Sequence, residues 1–102
     1  MTQRLEMLEK MVGAGTDDPF VHYAHAMELR SLGRLAESLV AYRAVIARFS
    51  DYVPTYLMAG QVADELGEVD VASEVLTQGI DRARAAGDGK AVSELESALD
   101  AL

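Results

Sequence analysis

The sequence predicts an all-α protein built as a stack of antiparallel helix pairs, and three observations carry that expectation. Two Leu-Gly pairs, Leu32-Gly33 and Leu66-Gly67, interrupt runs of helix formers at positions 34 residues apart, a period typical of helical repeats. Between the breaks, apolar residues recur at three- and four-residue steps: Leu35, Leu39, Tyr42, Val45 and Ile46 in one run, Val69, Ala72, Val75, Leu76 and Ile80 in the next. No run shows the two-residue alternation of a half-buried strand.

Taken in order, the chain reads as six helices, over 2–12, 18–32, 35–48, 52–66, 69–85 and 89–101. Asp17 or Asp18 can cap the second helix with Pro19 in its first turn, and Asp51 with Pro54 repeats the arrangement before the fourth. Gly33 and Gly67 can take the left-handed conformation that ends one helix before the next begins. GAGTDD at 13–18 and AGDG at 86–89 supply the remaining breaks. Sliding the chain by 34 residues sets Asp17 on Asp51, Ala26 on Gly60, Leu32 on Leu66, Gly33 on Gly67, Leu35 on Val69, Tyr42 on Leu76 and Ile46 on Ile80. Residues 18–50 and 52–85 are thus two units of one domain, 1–102, with 2–12 matching a second helix and 89–102 standing where a third first helix would cap the stack. Helices this short are marginal alone in water, so stacking must hold them.

Half of the 102 residues are hydrophobic and a quarter charged, which fits one modest globular core. The net charge of −8 is lopsided: residues 1–50 carry six basic and six acidic side chains, residues 51–102 three basic and eleven acidic. Such a field repels phosphate backbones and anionic lipid, so neither nucleic acid nor membrane is an expected partner. There is no cysteine for disulfides or thiolate metal sites. The opening MTQRLEMLEK lacks the apolar core of a secretory signal, and a cytoplasmic protein is expected.

The unit of two helices joined at a Leu-Gly turn resembles the tetratricopeptide repeat, whose pattern runs W-x2-L-G-x2-Y, A-x3-F and P. The second unit has Tyr56 as the aromatic, Gly60 and Ala72 as the small residues and Leu76 as the apolar residue four after Ala72. The first has Ala26, Ser38 and Tyr42 in the corresponding slots, with His22 and His25 where large apolar residues are usual. Ser50 and Arg84 replace the terminal proline. Over nearly its whole length the chain is similar to short bacterial proteins made of two such repeats and flanking helices. The resemblance implies a right-handed superhelical stack and a non-enzymatic scaffold that binds other proteins, with no cofactor.

In such a stack the first helices line the concave side, where Phe20, Tyr23, Met27 and Arg30 would meet Leu57, Met58 and Gln61. An apolar groove rimmed by Arg30, Asp64 and Glu65 suits a peptide or helix of a partner protein. The competing arrangement fills that space with the last helix through Val92, Leu95 and Leu99. Family members that hold a partner's C-terminal carboxylates use lysine, arginine and asparagine there; this chain has no asparagine, and only Arg30 is basic near that surface. The alternative function is self-assembly, as a homodimer or as a head-to-tail oligomer. His22 and His25, three apart on one helix, lack further metal ligands and read as packed histidines. Asp64-Glu65 and the Glu94/Glu96 pair have no histidine, serine or lysine constellation beside them, so no catalytic role is expected.

Overall fold

The computed structural model describes residues 2–102. It contains α1 (Gln3–Gly13), α2 (Pro19–Ser31), α3 (Leu35–Arg48), α4 (Pro54–Glu65), α5 (Val69–Ala85) and α6 (Gly89–Asp100), with no strand among the described residues. The helices lie within two residues of their expected bounds.

The Leu-Gly turns work as expected. Gly33 and Gly67 have φ of 76° and 77°, a region that side chains with a Cβ rarely enter. In the first turn the amides of Gly33 and Arg34 donate to the carbonyls of Arg30 and Leu29; in the second, those of Gly67 and Glu68 donate to Asp64 and Ala63. This paired bonding consumes carbonyls the helix end leaves free and turns the chain back sharply.

The helix starts are less symmetrical than the sequence repeat. Asp18 caps α2, its carboxylate accepting from the Phe20 amide at 3.0 Å ahead of Pro19. Asp51 does not cap α4. Val53, already helical at φ −54° and ψ −40°, occupies the cap position without a side-chain bond. The backbone of residues 52–56 bends through amide-to-carbonyl bonds from Thr55 to Tyr52 and Tyr56 to Val53, so Asp51 sits one turn too early and pairs with Arg82 at 3.3 Å instead.

Each helix packs on its sequence neighbours, and α4 also packs on α6. Side-chain bonds from Arg30 to α4 and from Arg43 to Glu74 of α5 tie alternate helices together. Two layers result, α2, α4 and α6 in one and α1, α3 and α5 in the other.

The main core runs between the layers through Leu39, Tyr42, Tyr56, Val62, Leu76 and Leu95, with a smaller cluster of Leu8, Val21 and Ala24 between α1 and α2. Small residues permit the close helix crossings. Ala26, Ser38, Gly60 and Ala72 are all fully or nearly fully buried, and the Ser38 hydroxyl donates to the Ala26 carbonyl at 2.7 Å. Tyr56 drives its ring against Gly79 and anchors its hydroxyl on the Ser50 carbonyl at 2.6 Å.

Candidate functional site

The first-helix layer presents the candidate face. Tyr23 projects from α2 because residues three and four apart share a helix face; Met27 and Arg30 continue its line, and Leu57, Met58 and Gln61 form the matching row on α4. The Arg30 guanidinium bridges the rows. It donates to Gln61 Oε1 at 3.2 Å, lies 3.6 Å from the Met58 sulfur and pairs with Glu65.

Aromatic packing sets the floor. The Tyr23 ring lies 5.8 Å from Tyr42 and 5.6 Å from Tyr52, centroid to centroid, in tilted and edge-on arrangements. Burial raises the Tyr23 phenol above its usual range and pushes that of Tyr42 up to about 12, so both stay neutral hydrogen-bonding groups at ordinary pH. The buried Tyr42 hydroxyl has no protein partner.

Beyond these rows stands α6. Tyr23, Leu57 and Met58 face Ala91 and Leu95 across a cleft of about 320 Å³, closed at one end by Val53 and Pro54 and rimmed by Asp88, Lys90 and Glu94. A wider trough of about 510 Å³ continues from Leu57 and Gln61 to Ser93, Ser97 and Ala98. Both expected arrangements therefore hold in part. Leu95 is buried against α5 and Leu57 and Met58 are half-buried, yet a furrow remains between the walls.

Of the residues expected here, Tyr23, Arg30, Leu57, Met58 and Gln61 lie along this furrow. Met27 packs half-buried on the core beside them. Phe20 stands apart, 54% exposed at the start of α2 and touching the group through Tyr23 at 6.4 Å. The sequence reading missed Val53, Ala91 and Asp88. Asp88 was visible only as part of a helix break; its carboxylate accepts from the Ala91 amide at 3.0 Å and so fixes the rim of the far wall.

The histidines sit elsewhere. His22 and His25 turn toward α1 and α3 with Leu29. His22 Nε2 lies 2.8 Å from the Thr16 carbonyl, which only accepts, so this nitrogen carries a proton; Arg48, 3.4 Å away, is occupied by Asp17 and the face of Phe49. Burial lowers the His25 pKa. No group of three or more histidine or carboxylate side chains with metal-binding geometry occurs among the described residues.

Six stacked helices, two 34-residue units and a side-chain-lined furrow with no assembled reactive groups define a helical-repeat protein of the kind that offers surfaces rather than catalysis. The chain belongs to the tetratricopeptide repeat family. It is 34% identical to the tetratricopeptide repeat domain protein of Salinibacter ruber; the match covers 81% of this chain and 92% of the other in its crystal structure, with a TM-score of 0.75. In the solution structure of the domain protein from that organism, 84% of the other chain is covered, with a TM-score of 0.77. A protein of Bordetella parapertussis, 23% identical, shares the fold over 98% of this chain and 87% of its own, with a TM-score of 0.80. No protein-family model matches the chain, and no curated protein matches it significantly. No helix among the described residues is long and apolar enough to cross a membrane.

Proposed function

We propose that the furrow between α2, α4 and α6 receives a segment of a partner protein, and that the chain acts as a non-enzymatic interaction module. The carrying observation is the apolar cleft of about 320 Å³ whose walls, Tyr23, Leu57 and Met58 against Ala91 and Leu95, come from three different helices. Such a site exists only in the stacked fold, so binding reads the whole domain and not one helix. Tyr23, Leu57 and Met58 supply apolar contact, and the thioether of Met58 adapts to its occupant. Arg30 and Gln61 set polar register, while Phe20 extends contact at the α2 end.

The polar exposed side of α6, with Ser93, Glu94, Glu96, Ser97 and Asp100, opposes docking of a further copy at that end of the stack. A photo-crosslinking residue at position 57 in living cells tests the reading. Wild type should capture a defined protein that Met58→Glu no longer captures, with the circular dichroism of the two alike. An unchanged set of products in the variant would end it.

A further inference from the structure

The opposite layer holds a second groove, of about 610 Å³, between α1 and α3. Its floor is His22, His25 and Leu29 of α2, and its walls include Val12 and, on α3, Val40, Ala41 and Ala44. The internal repeat supplies a control for how apolar that surface needs to be. Along the solvent-exposed stripe of α3 stand Ala36, Val40, Ala44 and Ala47; at the same places on α5, 34 residues later and equally exposed, stand Asp70, Glu74, Gln78 and Asp81. Every exposed position that is polar in one unit is apolar in the other. The equivalent cavity beside α5 is correspondingly lined by Gln78, Asp81 and Arg82. Val40 is 71% exposed, so its side chain serves no core. Folding therefore does not call for the apolar stripe on α3.

The groove also constrains what fills it. Its walls are helices whose backbone groups are already bonded, so an occupant finds side chains only and must satisfy its own backbone, which a helix does and a strand does not. From Ala36 to Ala47 the stripe is about 16 Å long, room for about three helical turns. On the α1 lip Glu9 has no ion-pair partner among the described residues, whereas Glu37 on the other lip is held by Arg34 through bonds of 2.9 and 2.6 Å. No unpaired cation lines the groove, and the chain carries a net charge of −8. An acidic occupant is repelled and a basic one drawn in.

We infer that the α1–α3 groove is a second docking site, for a short amphipathic helix of another protein with an apolar stripe and a lysine or arginine that meets Glu9. The site is independent of the furrow on the other layer.

The test uses a fluorescent peptide of about three helical turns with leucine and alanine on one face and lysine at its edges, a version with glutamate for lysine, and 15N-labelled full-length protein. The lysine peptide should shift the amides of Val12, Leu29, Ala41 and Ala44 and leave those of Leu57 and Met58 in place. The glutamate peptide should bind about tenfold more weakly, and Glu9→Gln should narrow that difference. A variant that takes the second unit's residues, Ala36→Asp, Val40→Glu and Ala44→Gln, should melt like wild type yet bind the lysine peptide at least about tenfold more weakly. Met58→Glu should bind it normally. Absence of binding, shifts confined to the furrow, or equal binding by the triple variant would overturn the inference. A wild-type dimer that light scattering shows to dissolve in the triple variant would overturn it too, making a second copy the occupant.

Discussion

An ideal Cβ at Gly79 would lie 2.5 Å from the Cβ of Tyr56, an atom fixed to backbone, whereas one at Gly60 would meet the Cδ2 and Cγ of Leu76 at 2.5 and 2.6 Å. The difference lies in what can yield. Leu76 can swing its branched end, but Tyr56 can move only if α4 and α5 separate. Alanine brings about 1 kcal/mol of helix propensity at either site. Gly79→Ala should therefore lose about 1–3 kcal/mol net through overpacking, Gly60→Ala should lose less, and Gly60→Leu, which adds a branched side chain at the same point, should lose more than Gly60→Ala. Urea melts of the three variants check the order; Gly79→Ala as stable as wild type would contradict the packing described. His25 provides a second test at this scale. Burial holds its folded pKa below the unfolded value of about 6.5, while Glu9 from α1 and Glu37 from α3 act to raise it and His22 and Arg34 to lower it further. The unfolded chain then takes up the proton first as pH falls, so stability is fully present above about pH 6.5 and declines on acidification toward the folded pKa. The melting temperature should drop between about pH 7.5 and pH 5, and His25→Gln should flatten that drop; an identical slope in the variant would assign the effect to other groups.

At the level of the helices, equal sequence does not guarantee equal structure. Asp17 and Asp51 align in the repeat, but Asp18 does the capping in the first unit and nothing does in the second. Asp18→Ala should accordingly lose about 1 kcal/mol, while Asp51→Ala, which removes an exposed pair with Arg82, should change stability by less than about 0.5 kcal/mol. Chemical denaturation of the two variants separates these values, and equal losses would mean that Asp51 caps after all. This contrast marks what was legible. The helices, their turns and the small residues at the crossings follow from local chemistry: glycine where φ is positive, apolar residues at helical steps, no bulk where backbones approach. The cap of α4 was not legible, since residues 52–56 settle it by bonding among themselves. Of the furrow, the near wall was readable because Tyr23, Leu57 and Met58 share faces on single helices. Its far wall depends on how far α6 leans over α4, a property of three helices at once, which is why Val53, Ala91 and Asp88 escaped notice. The groove between α1 and α3 was hidden for a related reason: alanine at an exposed position looks like ordinary helix filler until its counterpart on α5 proves to be charged.

Across the whole molecule, charge is divided unequally between pairs and surplus. Eight ion pairs occur among the described residues, most of them between side chains open to solvent, and each such pair contributes only about 0–1 kcal/mol. Against them stands a net charge of −8, all of it arising in residues 51–102. Asp64, Glu68, Asp70, Asp81 and Asp100 belong to none of these pairs, and each is exposed. Repulsion among like charges on a body whose radius of gyration is 13.3 Å reaches over about one Debye length at 0.1 M salt, near 10 Å, and more at lower salt. Screening therefore removes two opposed effects, a weak attraction within the pairs and a broader repulsion among unpaired carboxylates. The second is larger here because the surplus is confined to half of the chain, so raising sodium chloride from about 0.01 M to about 0.5 M should raise the melting temperature. Replacing Asp70 and Asp81 by asparagine should also raise it at low salt and shrink the salt response. A melting temperature that falls with added salt would show instead that pairs such as Arg30–Glu65 and Arg48–Asp17, which join separate segments of the chain, dominate the balance.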